Sequence, residues 1–312
     1  MKLIDKMKKG ELSTQQIVLL IILILSFIII LFFLFRLDFG NDSDKEICRN
    51  SVIMRGTSSV SSDSLPLKCS RNYICITKTG ECSGMVKPDT RKVKTEEEIY
   101  LVLAQEMADC WWMLGEGKVD YIGKDFFLKD NYCSICAQIL FDNSLKEIEG
   151  LDEGKISKDK LYDYLSKTKM SSQDMTYSEY LLGTNNLEKL KQTIANDKNN
   201  TDKISTFGTI YVGKNYYLVT GITSEISGRG WKIAAGGITT AIGFVVGYSW
   251  IGIVTGALIV GAGEVGKDIE PEIGAITVEG TGIKNEFMSP TIQEANSESF
   301  KTLNCYEIVS AS

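Results

Sequence analysis

The chain has 312 residues, a formal net charge of −6 and no histidine. The absence of histidine excludes Ser-His-Asp and Cys-His catalysis, and also zinc sites that use histidine ligands. The acidic balance, without a basic patch, argues against nucleic-acid binding, and no phosphate-binding or dinucleotide-binding fingerprint predicts a cofactor.

Residues 17–36 predict a transmembrane helix that follows a basic tail at 1–16. Residues 17–35 carry no charge, and at 1.5 Å per residue they cover roughly 28 Å, close to a hydrocarbon core of about 30 Å. Lysines precede this stretch and acidic residues dominate after Arg36. The distribution predicts a cytoplasmic N-terminus and a main domain outside the cell, hence a single-pass protein of the cell membrane. A secretory signal peptide is the rival interpretation, but it normally has a shorter apolar region and a small-residue cleavage site.

Residues 37–94 are predicted to be an irregular linker and a cysteine-rich region, with a flexible loop at 57–64. All the cysteines of the chain follow the predicted anchor, and their number is even. An even number outside the cytoplasm predicts disulfides, although the sequence does not give their pairing. The disulfide candidates are Cys48, Cys69, Cys75, Cys82, Cys110, Cys133, Cys136 and Cys305.

Two of these cysteines form a CxxC motif, Cys133-Ser134-Ile135-Cys136. Such a pair is typical of a thioredoxin-like redox dithiol, or of one half of a four-cysteine metal site. The strand–helix alternation of a thioredoxin motif is not evident here, and no second close cysteine pair completes a metal site. We therefore favour two structural cysteines, each bridged elsewhere, and predict no metal ligands.

An α+β extracytoplasmic domain is predicted for residues 95–232. Thr95 and Glu98 form a capping-box pattern, and an apolar face follows until the glycines at 115 and 117. Further helices are predicted at 132–145, 157–167, 177–182 and 187–196. Strands at 204–212 and 216–223, joined by Gly213-Lys214-Asn215, predict a β-hairpin. Residues 264–312 are expected to complete the domain with strands at 275–279 and 303–309.

Residues 233–263 form a glycine-rich insert without a charged residue. Two pairs of glycines have the GxxxG spacing that lets helices approach closely in lipid, Gly243 with Gly247 and Gly252 with Gly256. Broken near residues 247–250, the insert predicts an apolar helical hairpin that returns outside. The alternatives are a buried core hairpin and one tilted second membrane span, although the flanking charges and Cys305 argue against a second crossing.

The start of the chain resembles the processing site of archaeal class III signal peptides and type IV prepilins. Lys8-Lys9-Gly10 precedes Glu11 and the apolar run, and the resemblance implies cleavage after Gly10. Gln15 departs from the pilin pattern, in which a glutamate is usual.

As a whole, the chain resembles single-anchor membrane proteins of small-genome archaea. The residues that carry this resemblance are the prepilin-like start, Asp109-Cys110-Trp111-Trp112, Gly115-Glu116-Gly117-Lys118 and the CxxC pair. It implies a cell-surface setting and supplies no activity.

Three functions are compatible with these features. The first is a non-enzymatic, membrane-anchored surface or assembly protein whose insert packs against lipid, a membrane protein partner or a second copy of the chain. The second is a membrane-active protein, pore-forming or fusion-like, in which the insert enters a target bilayer. The third is an extracytoplasmic thiol oxidoreductase that uses Cys133 and Cys136. We favour the first, because no histidine or catalytic motif is present.

Overall fold

The computed structural model describes residues 14–36, 40–58, 65–122, 131–187, 207–223, 241–249, 252–265, 268–279, 281, 283, 285–297, 300–301, 303, 305 and 307–309. Gly10 lies outside these residues, as do the predicted loop beyond residue 58 and the predicted helix beyond Leu187. The start of the glycine-rich insert, residues 233–240, also lies outside them.

The first helix, α1, runs from Thr14 to Arg36 and contains the stretch predicted to be helical at 17–35. Its described large apolar side chains, at residues 17–25, 27–30 and 32, are between 44% and 63% exposed. It belongs to a unit, Met1–Ser43, that is separate from the unit formed by Asp44–Ser312. Within the described part of the chain, no helix combines the length and apolarity required of a membrane span.

The second helix, α2, runs from Gly40 to Thr57, where an irregular linker was predicted, so that prediction is wrong. The stretch is rich in polar residues and has little intrinsic apolar character, which is why its sequence resembles a linker. Two of its side chains, Cys48 and Val52, are almost completely buried and belong to the main core. Contacts with the rest of the domain therefore compensate for a weak local pattern.

The remaining elements form an α+β domain with one large sheet, as predicted. The sheet has nine strands in the order β2-β1-β3-β6-β10-β9-β8-β7, with β11 pairing β3, and β4 pairs β5 in a separate ribbon. The helices are α3 (Glu96–Met113), α4 (Lys158–Lys167) and α5 (Tyr177–Leu182), with two 3-10 helices at Asn143–Glu147 and Asp152–Gly154. The strands are β1 (Asn72–Thr77), β2 (Asp89–Lys92), β3 (Asn131–Phe141), β4 (Lys155–Ser157), β5 (Thr209–Tyr211), β6 (Asn215–Thr223), β7 (Ala241–Ser249), β8 (Gly252–Val265), β9 (Asp268–Glu279), β10 (Glu286–Glu294) and β11 (Glu307–Val309).

Helix α3 begins where the capping pattern predicted. The Thr95 side chain accepts a hydrogen bond from the Glu98 backbone N–H at 3.2 Å, while the Glu98 carboxylate accepts from the Lys94 backbone N–H at 2.6 Å. The predicted apolar face is buried throughout and forms the centre of the main core, with members Ile99, Leu103, Met107, Cys110 and Leu114. This core lies between the helices and one face of the sheet, and a smaller cluster that includes Val219, Met288 and Leu303 covers part of the other face.

The helix predicted at 132–145 is wrong, because residues 131–141 form β3. This strand is buried on both faces: Ile139 belongs to the main core, and Cys133 and Ile135 belong to the smaller cluster. A strand buried on both faces has a continuous apolar sequence, which periodicity alone cannot distinguish from a buried helix.

The β-hairpin predicted around residues 213–215 is also wrong, although strands do lie on both sides of the turn. β5 pairs β4, whereas β6 pairs β3 and β10. The backbone N–H of Gly213 donates to the carbonyl of Phe141 at 2.7 Å, so the turn is held by the end of β3. Gly213 has a φ of +88°, a conformation that glycine adopts without strain.

The described part of the glycine-rich insert is not a helical hairpin but an antiparallel ribbon made by β7 and β8, which β9 extends. Gly243 lies opposite Ala257, Gly247 opposite Val254, Gly252 opposite Ser249 and Gly256 opposite Phe244. The GxxxG pairs are therefore strand positions and not a helix-packing face. Ile, Val, Phe, Tyr and Thr between the glycines favour strands, and this preference prevails over the helical spacing.

The chain after the insert returns to the same sheet as the chain before it. β9 pairs β10, β10 pairs β6, and β11 pairs β3 in parallel. The strand predicted at 275–279 is thus confirmed as part of β9, whereas of the strand predicted at 303–309 only Glu307–Val309 forms a strand, β11. Strands that precede and follow the insert therefore lie in one sheet.

Candidate functional site

The end of α3 concentrates the polar residues that the sequence singled out. Two residues of α2, Lys45 and Arg49, reach three partners at this end, and we call the set the α2–α3 latch. Its members are Lys45, Arg49, Asp109, Trp112 and Glu116.

The first contact of the latch is an ion pair. The Lys45 ammonium donates to the Asp109 carboxylate at 2.5 Å, with 15% of the lysine side chain and 42% of the aspartate side chain exposed. Burial by itself would lower the pKa of Lys45, but the hydrogen bond and negative charge of Asp109 outweigh it and raise that pKa. The lysine therefore stays charged at physiological pH.

The second contact caps the C-terminal end of α3. The Arg49 guanidinium donates to the carbonyl oxygen of Trp112 and lies 4.5 Å from the centre of the Trp112 ring. The last carbonyls of a helix lack intrahelical partners and carry partial negative charge, so a cation at this position is stabilising. Arg49 supplies both the donor and the charge.

The third contact holds Glu116, a non-glycine residue with a φ of +56°. Its carboxylate accepts from Arg49 at 3.3 Å and from the Tyr180 hydroxyl at 2.8 Å. Burial would raise the pKa of Glu116, but these hydrogen bonds and the charges of Lys118 and Arg49 lower it overall. A left-handed conformation costs about 1–2 kcal/mol for a residue with a Cβ, and these contacts offset that cost.

The glycines on either side of Glu116 permit this turn. Gly115 and Gly117 have φ values of +85° and +69°. A Cβ at Gly117 would lie 3.1 Å from the Trp111 ring, which packs edge-on against Phe287 with ring centres 6.1 Å apart. The Trp111-Trp112 pair is thus divided: Trp111 lies in the core, and Trp112 lies under Arg49.

A second charged group lies one turn earlier on α3. The Glu106 carboxylate is 94% buried and contacts the Arg91 guanidinium at 3.2 Å, and Arg91 also contacts Asp89 at 2.8 Å. Burial raises the pKa of Glu106, and the charges of Lys45 and Arg91 act against that rise. This group connects β2 to α3, next to the latch.

The predicted disulfides are confirmed, and all eight cysteines are paired. The pairs are Cys48–Cys69, Cys75–Cys82, Cys110–Cys136 and Cys133–Cys305. Cys133 and Cys136 are bridged to different partners, which agrees with the structural interpretation of the CxxC motif. A dithiol that opens and closes between Cys133 and Cys136 would have to break both bridges, so the geometry opposes the oxidoreductase hypothesis.

The arrangement is suited to holding elements together. Each latch carboxylate accepts a hydrogen bond from a cation. The Cys48–Cys69 disulfide attaches α2 to the segment before β1, and the Cys110–Cys136 disulfide attaches α3 to β3. Among the residues that the structure describes, no cluster of His, Cys, Asp and Glu could hold a metal ion.

The sequence did not predict Lys45 and Arg49 as members of this site, because their segment was interpreted as a linker. A usable signal exists: Lys45, Cys48, Arg49 and Val52 recur at helical spacing, with the cysteine and the valine on the buried side. Comparison with known proteins adds nothing to this account, since no family model, curated protein or solved structure matches the chain.

Proposed function

We propose that this chain is a non-enzymatic, membrane-anchored protein that acts at the cell surface or in the assembly of a membrane protein complex. The observation that carries the proposal is the exposed apolar surface of α1, whose described large apolar side chains, at residues 17–25, 27–30 and 32, are between 44% and 63% exposed. Burying apolar area stabilises by roughly 25 cal/mol per Å². A helix with apolar residues on every side gains this stabilisation only in lipid or inside an assembly.

The charges that flank α1 support a cytoplasmic N-terminus. Lysines precede the helix and acidic residues follow it, the distribution that the positive-inside rule associates with a main domain outside. Disulfides persist in oxidising compartments and are rare in the cytosol. Four disulfides in the domain therefore support the same orientation.

The α2–α3 latch fixes the first helical residues of the domain, which follow the proposed anchor in the sequence. Residues 44–57 of α2 follow the anchor in the sequence and are attached to α3 by Lys45 and Arg49. The Cys48–Cys69 disulfide attaches the same helix to the segment before β1.

The ribbon of β7 and β8 is the surface that we propose for packing against lipid or a partner. Residues 233–263 carry no charge, and β9 joins the ribbon to the central sheet through pairs at residues 277–279 with 286–288. The uncharged stretch 233–263 could therefore pack against lipid or a partner while β9 stays attached to the central sheet.

Selective labelling of Cys305 tests the orientation. Intact cells are treated with a membrane-impermeant maleimide, with and without prior reduction. We expect labelling only after reduction, because the Cys133–Cys305 disulfide lies in the outer domain. Labelling of Cys305 only after permeabilisation, without reductant, would place the domain in the cytoplasm and contradict the proposal.

A membrane-active role is the second candidate, and the uncharged stretch 233–263 favours it. In this case the full chain, diluted from detergent onto liposomes that contain a self-quenched dye, would release the dye. Val254→Asp would place a charge in the middle of β8 and abolish the release. Absence of dye release by the unmodified chain would dismiss this candidate and leave the anchored assembly protein.

A further inference from the structure

A row of polar and aromatic residues crosses the sheet on the face opposite the helices. Tyr73 of β1 is in register with Gln138 of β3, and Gln138 is in register with Tyr217 of β6. Neighbouring strands lie about 4.8 Å apart, so the two tyrosines are about 10 Å apart along the row. Tyr217 packs against the cluster on this face and contacts Phe300, with ring centres 5.5 Å apart.

Arg71 extends over this row and contacts no acidic side chain among the residues that the structure describes. Its guanidinium lies 5.5 Å from the centre of the Tyr217 ring. Within the described residues it forms no ion pair and no hydrogen bond, and its Nε atom is buried. Arg49 and Arg91, in contrast, each contact carboxylates. A partly buried guanidinium with an unsatisfied Nε atom gains a hydrogen-bonding partner when it binds an anion.

The neighbouring polar groups of the row are also unpartnered. Over the same described residues, the Gln138 amide and the hydroxyls of Tyr73 and Tyr217 form no hydrogen bond. Tyr73 is 47% exposed, while Gln138 and Tyr217 are partly buried. The face therefore presents the guanidinium of Arg71, the amide of Gln138 and the phenol rings of Tyr73 and Tyr217 to a ligand.

We propose that this face binds an acidic saccharide. The Arg71 guanidinium has the fork geometry that pairs with a carboxylate. The Tyr73 ring provides a flat apolar surface for the C–H face of a sugar, and the Gln138 amide can both donate to and accept from sugar hydroxyls. The uncompensated charge of Arg71 selects a carboxylated sugar over a neutral one. This binding does not depend on the membrane anchor.

Calorimetric titration of the full chain in detergent micelles with an oligomer of galacturonic acid tests the proposal. The methyl ester of the same oligomer is the neutral comparison, and we expect it to bind at least about tenfold more weakly. Arg71→Gln should weaken binding of the acid by at least about tenfold. Lys92→Gln, which removes one positive charge from the exposed strand β2, should leave binding unchanged.

Further variants separate binding from folding. Arg71→Lys keeps the positive charge but loses the forked N–H donors of the guanidinium. It should therefore bind the acidic saccharide more weakly than the unmodified chain and more tightly than Arg71→Gln. Tyr73→Ala should weaken binding more than Tyr73→Phe, which keeps the ring. Equal affinity for acid and ester, equal effects of Arg71→Gln and Lys92→Gln, or no binding at millimolar saccharide would overturn the proposal. Tighter binding of a carboxylated peptide than of the saccharide would also overturn it.

Discussion

At the scale of single residues, Arg49 combines three roles in one side chain. It caps α3 through the Trp112 carbonyl, lies over the Trp112 ring and pairs with Glu116. Lysine could supply the charge but not the planar stacking or the forked donors. Arg49 is therefore the residue on which the end of α3 most depends.

Substitution of Arg49 tests this dependence. We expect Arg49→Ala to lower the free energy of unfolding by about 2–3 kcal/mol, because a hydrogen bond to a charged group and a cation–π contact are both lost. Arg49→Lys should recover part of that loss. Unfolding is followed by near-ultraviolet circular dichroism in detergent. Equal stability of the alanine variant and the unmodified chain would show that the latch contributes nothing.

Glu106 gives the domain a pH dependence whose sign follows from burial. Burial raises its pKa in the folded state above the ordinary value. The folded state therefore binds the Glu106 proton more tightly than the unfolded state does. The stabilisation that results is present at low pH and is lost as pH rises through the raised pKa. The unfolding temperature of the unmodified chain should fall from acidic to neutral pH. We expect a smaller fall for Glu106→Gln.

The matched control for Glu106 is Glu147→Gln, since 68% of the Glu147 side chain is exposed. This control should leave the pH profile unchanged. A profile that stays as steep in Glu106→Gln as in the unmodified chain would assign the pH dependence to other groups.

At the scale of elements, the glycine-rich ribbon differs most from the sequence prediction. The register places Gly243 opposite Ala257 on neighbouring strands. Residues directly opposite in an antiparallel pair have Cα atoms about 4.5–5.5 Å apart, a separation that a disulfide can span. A packed helical hairpin would not generally bring these two positions together.

Paired cysteine substitutions test the ribbon. Gly243→Cys with Ala257→Cys should form a new disulfide, seen in non-reduced peptide maps. Ile242→Cys with Ala257→Cys places the two side chains on opposite faces and should leave free thiols. Bridging in the second pair and not in the first would contradict the strand register.

Helix prediction succeeded where the local signals were complete. The helices at 157–167 and 177–182 and the start of α3 have caps and apolar spacing in their own sequences, and all three are present. Prediction failed for α2 and β3, because the partners that bury them are distant in sequence. Cys48 of α2 is bridged to Cys69, and β3 lies between β1 and β6.

At the scale of the whole molecule, the Cys133–Cys305 disulfide joins the end of the chain to the central sheet. Its cysteines are separated by 172 residues, compared with 7 for Cys75 and Cys82. In the chain-entropy model, the longer loop contributes about 5 kcal/mol and the shorter about 2 kcal/mol. The last strand, β11, therefore relies on a contact that is remote in sequence.

Removal of these two disulfides in separate variants tests the difference. Replacing Cys133 and Cys305 by serine should lower the free energy of unfolding by more than the same change at Cys75 and Cys82. Denaturant titration with the other disulfides intact gives both values. If removal of Cys75–Cys82 lowers the free energy of unfolding by more than removal of Cys133–Cys305, native packing and not loop closure determines the contribution of these disulfides.

The sequence by itself determined the apolar helix at 17–35, the α+β class, the structural use of the cysteines and the capped helices. These features depend on composition or on residues within one or two turns of each other. Tertiary structure decided the disulfide pairing, the helical state of α2, the partners of β5 and β6 and the extended state of the glycine-rich ribbon. Each depends on which distant segment supplies hydrogen bonds and buried area, and local patterns do not contain that information.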